Sequence, residues 1–508
     1  MAVDRKTEQQ LELDQIQGDV FIGLQKDHEV FLGFHIAQIP PFKTFLKHLV
    51  SEITTGKKVF ERELQLQALK ATGSKTRLTL IGVNIGFTFS GLQALGVPQL
   101  NKISDASFTA GLFARSASLG DPVAGEGAPA NWKLGKDISL HGLVIITGPD
   151  QPSVAAKVAD LKSKAGAAWM VTFEEEGMTR EFDRGHEHFG YLDGVSQPAV
   201  RGRIDHLFPG HTFLEDSLNP GDPNQGLPGA DLHWPGEFVF GYAGQKASDV
   251  EDPDAPTDGG LPWMKNGTFM VFRRLKQLVP EFDGFVDATA ANQQTDPALL
   301  GARLVGRWKS GAPVSLSPLQ DNPLQGGDKL QNNDFEFDDD SAARRCPFAA
   351  HIRKSYPRND VTPAGAGGAT EFDQREASEA DTQTHRIMRR GIPFGEDVTE
   401  AEARQEKTLH DRGLMFVCYQ TSIGDQFEFI IENWVNNRNF AVANTGHDPI
   451  LGQAGGANRM RDFVGASVNY PTGPLGPSIK LPADFIVPTG GGYFFVPSIA
   501  ALKTVLTV

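Results

Sequence analysis

A chain of 508 residues, 40% hydrophobic and 22% charged, exceeds what one compact core usually serves, so two domains are expected. Its formal net charge of −15 sets the surface against nucleic acid, whose phosphates it would repel. No apolar run reaches the ~20 residues of a membrane span, and the first fifteen residues are polar, without the apolar stretch of a secretory leader.

In chain order, residues 29–36 read as a strand. Pro40 and Pro41 then open a helix with Phe42, Phe45, Leu46 and Leu49 on one face. A strand at 78–87, a short helix at 90–95 and a strand at 142–146 follow. A helix starts at the cap Asp150 and stops at Gly166, and residues 168–174 form the next strand. Strand–helix–strand–strand–helix–strand is the ferredoxin-like pattern. A similar opening recurs: a strand at 267–275, then a helix from Pro280 with Phe282, Phe285 and Val286 on one face. Residues 413–420 read as the second strand of this copy, 425–434 as helix or strand, and 493–508 as a strand and a helix.

The fold class expected is therefore α+β: duplicated ferredoxin-like domains, antiparallel sheets with peripheral helices, divided as 1–225 and 226–508. Residues 202–262, rich in Pro, Gly and Asp, read as the crossing between them. Val30 and Leu80 mark the first two strands, 50 positions apart, whereas Met270 and Met415 are 145 apart. The second copy thus carries an insertion of roughly 95 residues, far beyond an ordinary connection. His351 and Arg389 fall inside it, and its segments 326–343 and 362–381, rich in Asp, Gly and Asn, are expected to wind over the surface.

Familiar sites are missing from the sequence. There is no GxxxxGK[ST] phosphate loop, GxSxG elbow, HExxH or CxxC. Cys346 and Cys418 make no disulfide framework and are expected as buried thiols. His186-Glu187-His188 offers two metal ligands without companions. What stands out is the run Glu187-His188-Phe189-Gly190-Tyr191-Leu192-Asp193-Gly194-Val195-Ser196-Gln197-Pro198, in which Asp193 sits on a tight, glycine-bounded path. By itself an Asp before Gly is an ordinary turn or cap residue. Far downstream lie Cys346-Pro347-Phe348-Ala349-Ala350-His351-Ile352-Arg353-Lys354-Ser355-Tyr356-Pro357-Arg358 and Arg389-Arg390-Gly391-Ile392-Pro393-Phe394-Gly395.

These three stretches, in this order and with a GxxDG signature at 190–194, resemble the dye-decolourising peroxidases, specifically their fungal type. The resemblance runs from the arm at 15–19 to the tail at 494–502. It implies one haem b per chain, held in the C-terminal half. His351 would be the axial ligand of the haem iron, Asp193 the distal acid–base and Arg389 the distal arginine. Leu414 and Phe416 would roof the distal pocket, and Asp448 would hydrogen-bond the proximal imidazole. Trp434 matches a surface tryptophan that relays oxidising equivalents to bulky dyes, and Phe394 stands where a tyrosine can. Taken singly, His351 reads as a surface histidine, Arg389 with Arg390 as a solvated basic pair, and Leu414, Phe416 and Trp434 as core.

The function so implied is reduction of hydrogen peroxide with oxidation of dyes and phenolic or aromatic donors by one-electron steps. A carboxylate can take and return the peroxide proton. An arginine, always cationic, favours the charge that develops and holds the Asp193 pKa at or below its ~3.9 reference. Expected partners are hydrogen peroxide and organic reducing substrates, with no nucleic acid and no membrane, the chain acting as a monomer or small homo-oligomer. The resemblance suggests an extracellular protein, while the chain itself leaves a cytoplasmic one equally open. The alternative is a non-catalytic haem carrier on the same scaffold, although a carrier needs neither a distal Asp nor a distal Arg.

Overall fold

A computed structural model describes residues 9–74, 78–202, 226–245, 257, 259–363, 370–466 and 472–508. In the first half, strand β1 (His28–Ile36) leads into α1 (Ile39–Val50), whose Phe42, Phe45, Leu46 and Leu49 are buried as the periodicity requires. A second helix, α2 (Gly56–Ala71), was not legible. It is polar nearly all round and buries just Gly56 and Val59, so no apolar stripe announces it. Strands β2 (Gly82–Phe87) and β3 (Gly142–Gly148) follow, then α3 (Gln151–Ala165) and β4 (Trp169–Met178). Asp150 caps α3 by accepting from Ser153 N at 2.8 Å, and Gly166, at φ 51°, ends it. The strands pair antiparallel in the order β4-β1-β3-β2, the ferredoxin-like arrangement.

The second half repeats it with a change of assignment. Strand β5 (Thr268–Gln277) precedes α4 (Val279–Gln293) and α5 (Pro297–Val305). Next come α6 (His351–Ser355), α7 (Glu371–Gln383), the short strands β6 (Met388–Arg389) and β7 (Ile392–Phe394), then β8 (Gly413–Gln420) and β9 (Ile486–Val496). The order is β9-β5-β8, with β6 and β7 on the far edge of β8. Because β8 pairs directly with β5, it holds the third position of the repeat, not the second as expected. The second position belongs to β6 and β7, so Arg389 lies on the sheet itself, while His351 does lie in the long stretch before it.

One nine-stranded sheet runs through both halves, joined where Phe87 pairs with Phe495. It curls back on itself: a Cβ added at Gly177 of β4 would come within 2.5 Å of Ile392 on β7. The interior mixes both halves, with Phe31, Leu143 and Ile145 packed among Met270, Phe272, Met415 and Phe494. The Phe31 and Phe272 rings lie 5.0 Å apart. Removing such a ring costs about 3–5 kcal/mol, so the halves hold one another in place.

Two surface expectations are corrected. Residues 371–383 form helix α7, opened by a reciprocal Thr370–Asp373 capping box. Phe335 and Phe337 are buried, because the Arg353 guanidinium stacks on Phe337 at 4.3 Å while pairing with Asp360 and Asp340. Of the expected crossing, residues 203–225, 246–256 and 258 lie outside the described set, as does one side of the 225/226 boundary. The described part is packed, with Trp234, Phe238, Val239 and Phe240 buried. Both cysteines are buried free thiols. No helix among the described residues is long and apolar enough to cross a membrane.

Candidate active site

The loop that carries Asp193 is shaped by its own residues. The Glu187 carboxylate accepts from Phe189 N and Tyr191 N, both at 2.9 Å, and from Gln277 Nε2 at 2.5 Å. Gly190 and Gly194 take φ of 87° and 75°, values open to glycine and strained for other residues. Asp193 N donates to Gly185 O at 2.9 Å, which pins the residue at the loop's end. His186 and His188 face elsewhere, donating to Lys309 O and Phe394 O. Burial pushes His188 down to about 4. The His-Glu-His run is therefore scaffolding, and among the described residues no group of three His, Cys, Asp or Glu could hold a bare metal ion.

Asp193 meets the arginine expected to be its partner. Arg389 Nη1 donates to Asp193 Oδ1 at 2.9 Å, and Nη2 donates to Ser196 O at 3.0 Å. Arg390, the next residue, points away from the site and donates to Asp19 O at 2.9 Å and to Phe21 O. Strand alternation thus separates the pair that sequence left ambiguous. Burial works to raise the Asp193 carboxyl, yet the charge and hydrogen bond of Arg389, the Gly194 N–H and the nearby His351 outweigh it, and the net shift is downward.

His351 opens α6 and its Nδ1 lies 2.7 Å from Asp448 Oδ2. Asp448 is fully buried, and its Oδ1 accepts from Ile450 N and Leu451 N at 2.8 and 2.9 Å. This carboxylate fixes the imidazole so that Nδ1 donates and Nε2 is left free to act as a ligand. Burial raises and His351 lowers the Asp448 carboxyl, with a net lowering.

Asp193, Arg389 and His351 line one cavity of about 1830 Å³, counting its open mouth. Their side chains keep 35%, 31% and 29% exposure, and that surface faces the void. Leu414 and Phe416 line it too, while Met415 and Val417 between and after them enter the sheet interior. The period-2 alternation of β8 makes both the lining and the core readings true, each for its own face.

The cavity suits a large amphiphile with negative ends. Its walls are largely aliphatic and aromatic, but Arg307, Arg358 and Arg386 also border it. Arg307 bonds to backbone and amide oxygens, and burial beside Arg358 and Arg389 brings it down to about 9. Arg386 Nε is buried without a hydrogen-bond partner. One free imidazole nitrogen cannot retain iron alone, so the donor set fits a metal brought in by an anionic macrocycle, for whose carboxylates these cations are suited.

Trp434 needs a correction: it is 3% exposed and so does not form part of the surface. Its indole stacks on Phe440 at 5.4 Å and meets His385, itself a cavity-lining residue, edge-on at 5.4 Å. Phe394 is buried in the sheet interior. Glu187, Arg386 and Gln197, which grips the Arg389 backbone, were not anticipated. Glu187 and Gln197 both stand in the quoted run, but the bond of Glu187 to Gln277 and that of Gln197 to Arg389 reach 90 and 192 residues along the chain.

The chain is similar to known proteins along nearly its whole length. Residues 15–181 match the model of the DyP dimeric alpha+beta barrel domain, and residues 237–444 match that of the Dyp-type peroxidase C-terminal domain. The chain is 34% identical to a dye-decolorizing peroxidase of Mycena epipterygia, over 99% of this chain and 88% of the relative. It is 35% identical to dye-decolorizing peroxidase msp1 of Mycetinis scorodonius, over 98% and 88%. A solved mutant of the dye-decolorizing peroxidase from Pleurotus ostreatus superposes with a TM-score of 0.80 at 35% identity, covering 98% of this chain and 100% of that one. A dye-decolorizing peroxidase solved in complex with 2,6-dimethoxyphenol gives a TM-score of 0.75 at 34% identity, covering 98% and 100%.

Proposed function

The chain belongs to the fungal dye-decolorizing peroxidases, and on that premise we propose how its own residues carry the peroxidase reaction. Haem b, when bound in the cavity, would supply the redox-active iron that peroxide reduction and one-electron donor oxidation require. His351 would hold it through Nε2, Arg307, Arg358 and Arg386 would take its carboxylates, and Leu414 and Phe416 would give it an apolar wall.

Asp193, kept ionised by Arg389, takes the proton of the incoming hydrogen peroxide and returns it to the departing oxygen. Arg389 favours the hydroperoxide anion and the charge that grows as the O–O bond breaks. Asp448 orients His351 and raises the basicity of its ligating nitrogen. Leu414 and Phe416 exclude water, so that these charges act in a medium of low polarity. Donors are organic molecules that give up one electron, including phenols such as the 2,6-dimethoxyphenol named in the solved complex. Trp434, buried beside His385, is a candidate path for bulky donors that stay outside.

The observation that carries this reading is the Asp193–Arg389 pair, which shares a cavity with the Asp448-braced His351. The test is an absorption spectrum of the haem-loaded protein before and after hydrogen peroxide. A Soret band that changes promptly supports the peroxidase, an inert one supports a haem carrier, and no Soret band overturns both.

A further inference from the structure

We propose that Tyr356, with Asp231 as its proton acceptor, is an internal one-electron donor inside the cavity, a redox site distinct from the distal pair and from Trp434. This rests on the peroxidase reading above. Tyr356 is the residue that terminates α6, the helix begun by His351, and it lines the same cavity. The residue is 8% exposed. Its hydroxyl donates to Asp231 Oδ2 at 2.6 Å, a short hydrogen bond to a charged acceptor. The guanidinium carbon of Arg386 lies 3.3 Å from the ring centroid, and that of Arg358 lies 5.2 Å away.

No other described tyrosine combines these features, and Tyr242, bonded to Asn266 Oδ1 at 2.7 Å and away from the cavity, has neither. Tyr419 and Tyr493 donate to Asp19 and Glu428, each at 2.8 Å, but neither borders the cavity. Tyr191 borders it, yet its hydroxyl faces Gly301 on α5. Tyr356 combines a place on the cavity wall with a base already in hydrogen-bond contact.

The surroundings select the form of the oxidised ring. Burial and the Asp231 charge hold the phenol protonated far above its ordinary value, despite Arg386 and Arg358. An electron therefore cannot come from a phenolate. Two guanidinium groups over the ring also penalise a positively charged ring, whereas a neutral phenoxyl radical carries no such penalty. In the balanced step, Tyr356 gives one electron to the oxidising equivalent left by peroxide reduction. Its O–H bond breaks, and the proton crosses the existing hydrogen bond to Asp231. A neutral phenoxyl radical and a carboxylic acid result; one electron from a phenolic donor restores both, the proton returning from Asp231 to Tyr356 across the same hydrogen bond and the donor's own proton passing to solvent. When donor is scarce, Tyr356 thus holds one oxidising equivalent away from His351.

The test is electron paramagnetic resonance of the haem-loaded protein, freeze-quenched after hydrogen peroxide without donor. A tyrosyl signal is expected. It should be lost in Tyr356→Phe and largely lost in Asp231→Asn, which keeps the phenol and removes the base, while the Soret response persists in both. Tyr191→Phe should keep the signal. An undiminished signal in Tyr356→Phe, or one lost in Tyr191→Phe, overturns the proposal. So does a wild-type protein whose Soret band responds to peroxide without any tyrosyl signal. A Soret band that ignores peroxide overturns the peroxidase reading first and this one with it.

Discussion

Gln197 holds Arg389 by both of its backbone groups: Gln197 Nε2 donates to Arg389 O at 3.0 Å, and Gln197 Oε1 accepts from Arg389 N at 3.3 Å. A side-chain amide here acts as an extra rung on the free edge of β6, whose other edge pairs Arg389 with Cys418. Together with Ser196 O and Asp193 Oδ1 on the guanidinium, it locks the GxxDG loop to the arginine strand at two levels.

Gln197→Ala should therefore loosen the Asp193–Arg389 geometry without touching the proximal side. Hydrogen bonds of this kind contribute about 1 kcal/mol each, so the reaction with peroxide should slow roughly tenfold. Haem content should be unchanged. Stopped-flow mixing with peroxide measures the first quantity and the Soret absorbance the second. An unaltered rate would make Gln197 merely a loop ornament.

The acid limb of that same reaction reports on Asp193. Its carboxyl lies below the usual value: burial pushes it up, but Arg389 prevails. A base with a depressed value stays ionised above that value and is lost as pH falls through it. The rate should therefore hold down to the neighbourhood of the ~3.9 reference and fall below it. Arg389→Leu removes the main lowering influence and leaves burial to act, so the limb should move to higher pH in addition to any loss of rate. If the limb stays where it is in that variant, Asp193 is not the group being titrated.

On the proximal side, Asp448 serves three donors at once: His351 Nδ1 and the amides of Ile450 and Leu451. Asp448→Ala leaves all three without an acceptor in a buried site, a change that costs about 3–5 kcal/mol. Asp448→Asn can keep the two amide bonds through its oxygen but turns an NH2 group toward the imidazole N–H, so it should be milder. Thermal unfolding of the haem-free protein should rank the three as wild type, then Asn, then Ala. In the loaded protein, both variants should shift the Soret band and lose haem faster to a competing apoprotein.

How much of this could be read in advance depends on distance along the chain. His351, Asp193 and Arg389 sit in short motifs, so the three residues that the structure gathers around one cavity were legible as a group. The alternation of Leu414 and Phe416 was legible too, because a strand's period is visible in eight residues. Strands β6 and β7 were not, being two and three residues long and separated by Arg390 and Gly391. Missing them moved β8 one place in the repeat and put Arg389 in an insertion instead of on the sheet. Gln197 stands in the quoted run, but its grip on Arg389 was not legible, since its partner lies 192 residues away. The Tyr356–Asp231 bond spans 125 residues and has no local signature at all.

Trp434 is where sequence and structure pull hardest against each other. The resemblance placed it at the surface as a relay, and the structure seals it to 3% exposure between Phe440 and Phe429. The residues 425–434 could be read as helix or strand, and neither reading revealed which face would be covered. They are helical, and the indole turns toward His385, which borders the cavity. Burial does not prevent electron transfer, but it makes two outcomes separable for Trp434→Phe. If the indole conducts, turnover of a bulky anthraquinone dye should fall while turnover of 2,6-dimethoxyphenol, small enough to enter the cavity, stays near wild type. If it merely fills the core, both substrates should be affected alike, and the loss should follow a drop in stability of about 1–3 kcal/mol from the vacated volume. Measuring both donors beside the thermal midpoint decides between the roles. The edge-on contact with His385 favours the first.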